Sequence, residues 1–226
     1  FRPRVNKSIN GYFICDEGRL SYKNESENRF ETPLLNKIEI SIDNVIANVF
    51  KELSTNKNIL FVLSANLSYE EMLNVKNLAS KLNAEISGYS PNTFDKSFAD
   101  DYLKTEDKTA NRNSFKELEI DETKEHFETS LNNSSLIVIV ENSYFDTNEK
   151  LLENKKVISL FSHNCSTINH SNIAIPVASF YEKSGTYTNK DGIKQKVISK
   201  IAKNNPQETI TTIIEHLKSM IEKGTL

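Results

Sequence analysis

The chain has 226 residues, 37% hydrophobic and 26% charged, with a formal net charge of −3 and a mean hydropathy of −0.50. That length supports one globular domain or two small ones. No apolar run approaches the ~18 residues of a membrane helix, residues 1–11 lack the apolar stretch of a signal peptide, and the slight acidity argues against a nucleic-acid binder.

Residues 1–22 form a basic-aromatic segment, FRPRVNKSINGYFICDEGRLSY. Four of the five arginines (Arg2, Arg4, Arg19 and Arg29) lie before residue 31. Arginine suits fixed, partly buried ion pairs better than lysine, so this end is expected to pack against something. Residues 23–33 read as a polar linker. From there helix and strand alternate. Residues 41–53 carry Ile42, Val45, Ile46, Val49 and Phe50 on one helical stripe, and residues 58–64 (NILFVLS) read as a strand buried on both faces. Residues 68–82 are helical, opened by a Ser68/Glu71 capping box. Residues 85–89 suit a second strand. Residues 90–120 are polar and irregular, longer than an ordinary connection, and residues 122–131 read as a helix. Residues 136–140 (LIVIV) are the clearest central strand, followed by a short helix at 147–152, a buried strand at 157–161 and another at 172–175. Residues 206–223 form an amphipathic helix with Ile210, Ile213, Ile214, Leu217, Met220 and Ile221 inward. The alternation predicts a three-layer α/β domain with a mostly parallel sheet, in which strands 59–64, 136–140 and 157–161 are adjacent. The pattern sets residues 1–33, the basic-aromatic segment and its linker, apart from the α/β stretch at residues 34–226.

Chemistry is thinly marked. A dinucleotide site needs closely spaced glycines after the first strand, but ANLSYEE and ENSYFDT, which follow two of the predicted strands, contain none. Two cysteines exclude a disulfide scaffold and a four-thiolate metal site made by this chain alone, and fit a reducing compartment. Cys165 with His163 or His170 has the makings of a Cys–His pair or half a metal site; a polar loop with a small buried cysteine is the favoured reading. The acidic residues Asp100, Asp101, Glu106 and Asp107 do not have calcium-loop spacing and read as a solvated loop. Cys15, near Arg2, Arg4 and Arg19, is either the thiolate of an anionic iron–sulfur cluster or a lone buried cysteine.

The segment RPR-x-N-x-x-x-N-G-Y-F-I-C-D-E-G-R-x-x-Y resembles the last-cysteine element of the iron–sulfur entry domain in the molybdopterin oxidoreductase superfamily. It is most similar to the large iron–sulfur subunit of bacterial NADH:quinone oxidoreductase (complex I). Cys15 then matches the fourth [4Fe-4S] ligand, followed by Asp16, Gly18 and Arg19. Residues 59–84 resemble the family's strand, turn and helix; Asp101, Leu103, Asp107 and Asn111 match a further stretch. Pro176, Glu182, Gly185, Thr186, Asn189, Gly192 and Gln195 match "LP-x-x-x-x-x-E-x-x-G-T-x-x-N-x-x-G-x-x-Q". The upstream cysteine trio of the family is missing, as is any molybdenum ligand.

The resemblance implies the noncatalytic C-terminal portion of a shortened complex I subunit, peripheral on the cytoplasmic side of the inner membrane, with no membrane span and no nucleic acid. Its partners would be other peripheral-arm subunits, including the NADH-oxidising flavin subunit. It implies no catalytic residue and no cofactor held by this segment; [4Fe-4S] and [2Fe-2S] clusters belong to a longer parent, of which this chain would be part, and Cys15 ligates only with upstream cysteines. Alternatives are the same module in a soluble NAD-linked hydrogenase or formate dehydrogenase, and a free-standing α/β small-molecule binding domain. Gly185 and Gly192 are expected to permit tight turns that hold residues 182–195 against the sheet edge.

Overall fold

Alternation of side-chain direction along three largely apolar strands builds two cores at once. In the computed structural model, which describes residues 2–199 and 208–224, β3 (Ile59–Leu63), β5 (Leu136–Val140) and β6 (Lys156–Phe161) lie side by side and parallel, and every residue of β3 and β5 is buried. Ile59, Phe61, Leu63, Leu136, Val138 and Val140 point into one core; Leu60, Val62, Ile137 and Ile139 point into the other. This is the period-two geometry of a strand covered on both faces.

The first core is closed by α3 (Ile42–Thr55), α4 (Tyr69–Lys81) and α8 (Ile210–Lys223), which bring Val45, Val49, Met72, Val75, Ile213 and Leu217 onto the sheet. The second is closed by α6 (Lys124–Asn133) and the short α7 (Ser166–Asn169), with Phe127, Leu131, Phe145 and Ile168. The three-layer α/β fold with its mostly parallel sheet is therefore present. The strand order is β2-β1-β7-β6-β5-β3-β4, with β4 at Glu85–Ser87 and β7 at Ile173–Pro176. The antiparallel part is the small hairpin of β1 (Leu34–Leu35) and β2 (Ile38–Glu39), which adds to β7. Its two turn residues, Asn36 (φ 49°) and Lys37 (φ 68°), are both left-handed, as a tight hairpin turn requires.

The short helix expected at residues 147–152 is the 3-10 turn Glu149–Leu152, preceded by another at Ser143–Asp146. One segment differs from its sequence reading. Residues 182–195 do not lie on the sheet edge: β8 (Gly185–Thr188) and β9 (Lys194–Val197) make a separate antiparallel hairpin packed on α4. The basic-aromatic segment carries the short helix α1 (Asp16–Leu20), α2 (Tyr22–Glu25) runs from its last residue into the stretch read as a linker, and α5 (Asn113–Glu117) ends the irregular stretch. Phe1 and positions 206 and 207 of the expected last helix lie outside the described residues. No helix among the described residues is long and apolar enough to cross a membrane.

Candidate functional site

In an open parallel sheet the chemistry gathers outside the carboxyl ends of the strands, where the strand order reverses. Here the chain runs from β3 to β4 on one side, then crosses to β5 on the other, which puts the reversal beyond Leu63 and Val140. That place is occupied by the chain's own polar groups. The buried Asn142 side chain donates from Nδ2 to the Leu63 carbonyl (2.8 Å) and the Tyr89 carbonyl (3.2 Å). The buried Asn111 donates from Nδ2 to the Leu67 carbonyl (2.8 Å), and its Oδ1 accepts the Thr188 N–H (2.6 Å). Two asparagines thus replace a ligand in satisfying backbone groups that burial would otherwise leave unpaired.

The N-terminus of α4 is filled in the same way. Ser68 caps it reciprocally with Glu71, Ser68 Oγ accepting the Glu71 N–H (3.2 Å) and Glu71 Oε2 accepting the Ser68 N–H (2.9 Å). Lys183 Nζ then donates to both carboxylate oxygens of Glu71 at 2.9 Å, with side-chain exposures of only 7% and 4%. Glu70 accepts the Thr186 N–H (2.8 Å) and hydroxyl (2.6 Å). Burial alone would raise the Glu70 carboxyl, but the Thr186 hydrogen bonds outweigh it and hold it below its ordinary value. A helix N-terminus attracts phosphate through its free N–H groups and positive end. Two carboxylates in the first turn satisfy that attraction internally.

Glu141 stands directly after β5 in a left-handed conformation (φ 52°), uncommon for a residue with a side chain. Its Oε1 accepts the Ser162 N–H at 2.7 Å. Although the residue as a whole is half-buried, burial dominates its carboxyl and pushes it above the ordinary value, against the opposing fields of Lys183 and His163. The folded state therefore favours the protonated acid, and its contribution to stability is lost as pH rises from about 4.5 through the folded pKa. Glu141→Gln, which keeps the acceptor oxygen, is expected to flatten that slope and to raise the neutral-pH melting temperature by a few degrees, on the order of 1 kcal/mol. Melting curves of both proteins between pH 4 and 8 check it; parallel curves would contradict the assignment.

The stretch read as a linker is fastened beside this cluster. The Phe30 N–H donates to the Ser162 carbonyl (3.1 Å), Arg29 pairs with Glu182 at 2.7 Å, and His163 Nε2 lies 3.3 Å from the Glu25 carbonyl. His163 Nδ1 meets Ser162 Oγ at 2.9 Å, and His170 meets Glu149 at 3.2 Å. Cys165 opens α7, and burial, followed by the nearby Asp146, pushes its thiol up to about 12. A thiol that resists ionisation is a poor nucleophile and ligand, and the stretch read as a polar loop runs from the end of β6 into α7, where Thr167 and Ile168 are buried. The acidic loop also has local duties. Backbone N–H groups of Lys104, Leu103 and Tyr102 hold the Asp100 carboxyl at about 2, and Asp107 pairs with Arg112 at 2.9 Å.

Cys15 caps α1, its Sγ accepting the Gly18 N–H at 3.4 Å, and lines an open groove with Arg2 and Arg4. Among the described residues no group of three or more His, Cys, Asp or Glu side chains is placed to hold a metal ion.

Fold and cluster together define an open-sheet α/β domain whose switch point is filled from within. No family model and no curated protein matches the chain. A similar solved structure is a chain of the formyltransferase/hydrolase complex from Methylorubrum extorquens, determined with methylofuran. It has 9% identity and a TM-score of 0.47, over 86% of this chain and all of that one. These findings correct the resemblance to the large iron–sulfur subunit of complex I. With it go the electron-transfer function, the iron–sulfur and quinone assignments, and the hydrogenase and formate dehydrogenase variants of the same reading.

The residues that carried the resemblance have local explanations. Glu182 closes a capping box with Ser179. Asn189 Oδ1 accepts the N–H groups of Asp191 and Ile193 at 3.0 and 2.8 Å, and Gly192 has φ 78° in that turn. Gly18 donates to a capping thiol. Such spacings recur wherever a turn or cap is built, and they carry no cluster chemistry. The sequence reading missed Glu141, Glu70 and Lys183; a carboxylate directly after an all-apolar strand was the available signal for the first.

Proposed function

We propose that this chain is a noncatalytic interaction domain, which contacts other molecules through its surface instead of binding a substrate in the sheet. The observation that carries this is the β8–β9 hairpin seated on the start of α4, with Thr186 on Glu70 and Lys183 on Glu71. The place where related architectures hold phosphate is taken by carboxylates and their own covalently tethered partners. A peripheral position in a larger assembly accords with this reading, and a thiol at Cys15 needs no cluster in it.

The test has two readouts on the wild-type chain. Melting temperatures with millimolar ATP, NAD, FAD and a pterin are expected not to move in a saturable way. Hydrogen exchange at the Thr186 and Thr188 amides is expected to be as slow as in the central strands, since a built-in plug opens only with the core. A saturable stabilisation that Thr186→Ala abolishes, or rapid exchange of both amides over a protected sheet, would show a lid over a real binding site and defeat the proposal.

A further inference from the structure

The richest surface outside the filled switch point is a pair of joined grooves between the basic-aromatic segment and β9. One, of about 680 Å³, is lined by residues that include Arg2, Arg4, Val5, Phe13 and Leu103. The other, of about 450 Å³, is lined by Arg4, Lys196, Val197 and Ile198. Arg4 belongs to both and joins them. Phe13 and Ile198 are 68% and 65% exposed, so large apolar side chains stand in water beside three cations, and among the described residues neither lining contains an acid. Lys196 is close enough to Glu70 to help lower its carboxyl, but its side chain, like those of Arg2 and Arg4, forms no ion pair among the described residues.

β9 contributes Gln195 to the first groove and Lys196 and Val197 to the second, and its pairing among the described residues is with β8 alone. A strand with one free edge offers unpaired N–H and C=O groups to another backbone. We propose that these grooves take an extended polypeptide segment of a protein partner, added along the free edge of β9, whose carboxylates meet Arg2, Arg4 and Lys196 and whose aliphatic side chains cover Val5, Phe13 and Ile198. Strand addition gives affinity through the main chain and specificity through alternate side chains, so the occupant alternates acidic and aliphatic residues. The four residues of β9 give a pairing length of about 13 Å at ~3.3 Å per residue. The free strand edge and the largely aliphatic floor favour a peptide over a nucleic acid, which has no amide backbone to pair. This occupant rests on the interaction-domain reading and gives it a partner chemistry.

Fluorescence anisotropy with the full chain tests it, using labelled ten-residue peptides at physiological salt. The probes are a peptide alternating Glu with Val or Ile, the same peptide with Lys for Glu, the acidic peptide with N-methylated backbone, and single-stranded oligo-dT. The acidic peptide is expected to bind about tenfold or more tighter than the Lys and N-methylated forms. The exposed double substitution Arg2→Glu/Arg4→Glu is expected to weaken it about tenfold or more with an unchanged melting temperature. Equal affinity for acidic and Lys peptides, indifference to N-methylation or to the double substitution, preference for oligo-dT, or no binding would overturn the proposal. So would self-association through this face in sedimentation. Nucleotide-dependent stabilisation with peptide binding intact would instead defeat the noncatalytic reading alone.

Discussion

Lys183→Met is expected to destabilise the fold by about 3–5 kcal/mol, the cost of leaving one member of a buried ion pair behind. Glu71 stays where it is because its carboxylate is held twice, as the acceptor for the Ser68 N–H and as part of α4. Its side chain is 4% exposed, so water does not replace the lost ammonium. For a chain of this size about 1 kcal/mol shifts the melting temperature by ~2–4 °C, which places the loss at roughly 6–20 °C. Added salt is not expected to reproduce the effect, because a buried pair is poorly screened. Lys183 also lowers the Glu141 carboxyl, so the same variant is expected to shift the pH-dependent part of the stability curve upward. Glu71→Gln/Lys183→Met is expected to recover part of the loss: glutamine still accepts the Ser68 N–H and carries no charge. Chemical denaturation of the two variants is the measurement. A loss under about 1 kcal/mol in the single variant, or a double variant no better than it, would show that the pair is not desolvated as described.

The sheet was legible because burial on both faces leaves a plain trace. An all-apolar run such as Leu136–Val140 has few alternatives, and the three strands read this way are neighbours in the sheet. The Ser68/Glu71 cap was legible because both halves sit three residues apart. Glu71's second role was not, because Lys183 lies 112 residues away and no local pattern links them. The β1–β2 hairpin was hidden by two-residue strands and by a turn, Asn36–Lys37, that adopts left-handed geometry without glycine. The β8–β9 hairpin was hidden differently: GTYT and KQKV are polar enough to pass for loop, since β9 is mostly exposed. Their turn residues then invited comparison with a family motif. A similarity built from caps and turns reports backbone geometry, and backbone geometry is shared by unrelated folds.

Gly185, expected from the sequence to serve a tight turn, is not among the left-handed residues; what it provides is room. A Cβ at this position would lie 2.3 Å from Ser68 Cβ, 2.8 Å from Ser68 Oγ and 3.3 Å from a Glu70 carboxylate oxygen. Ser68 Cβ hangs directly on the backbone that begins α4, so it does not swing aside. Gly185→Ala is therefore expected to lift β8 off the helix, which stretches both Thr186 hydrogen bonds to Glu70 and strains the Ser68 cap. Overpacking costs about 1–3 kcal/mol and loss of a cap about 0.5–2 kcal/mol, so a combined loss of about 2–4 kcal/mol is expected. Adding Ser68→Gly removes the opposing Cβ. Because glycine is a serviceable N-cap, the double variant is expected to be more stable than Gly185→Ala alone, a non-additivity that contacting residues show and distant ones do not. The Thr186 amide supplies an independent check, since its hydrogen exchange is expected to accelerate in Gly185→Ala and slow again in the double variant. Additive losses with unchanged exchange at Thr186 would mean that the hairpin does not rest on the helix at this point, and the filled switch point would lose its closest contact.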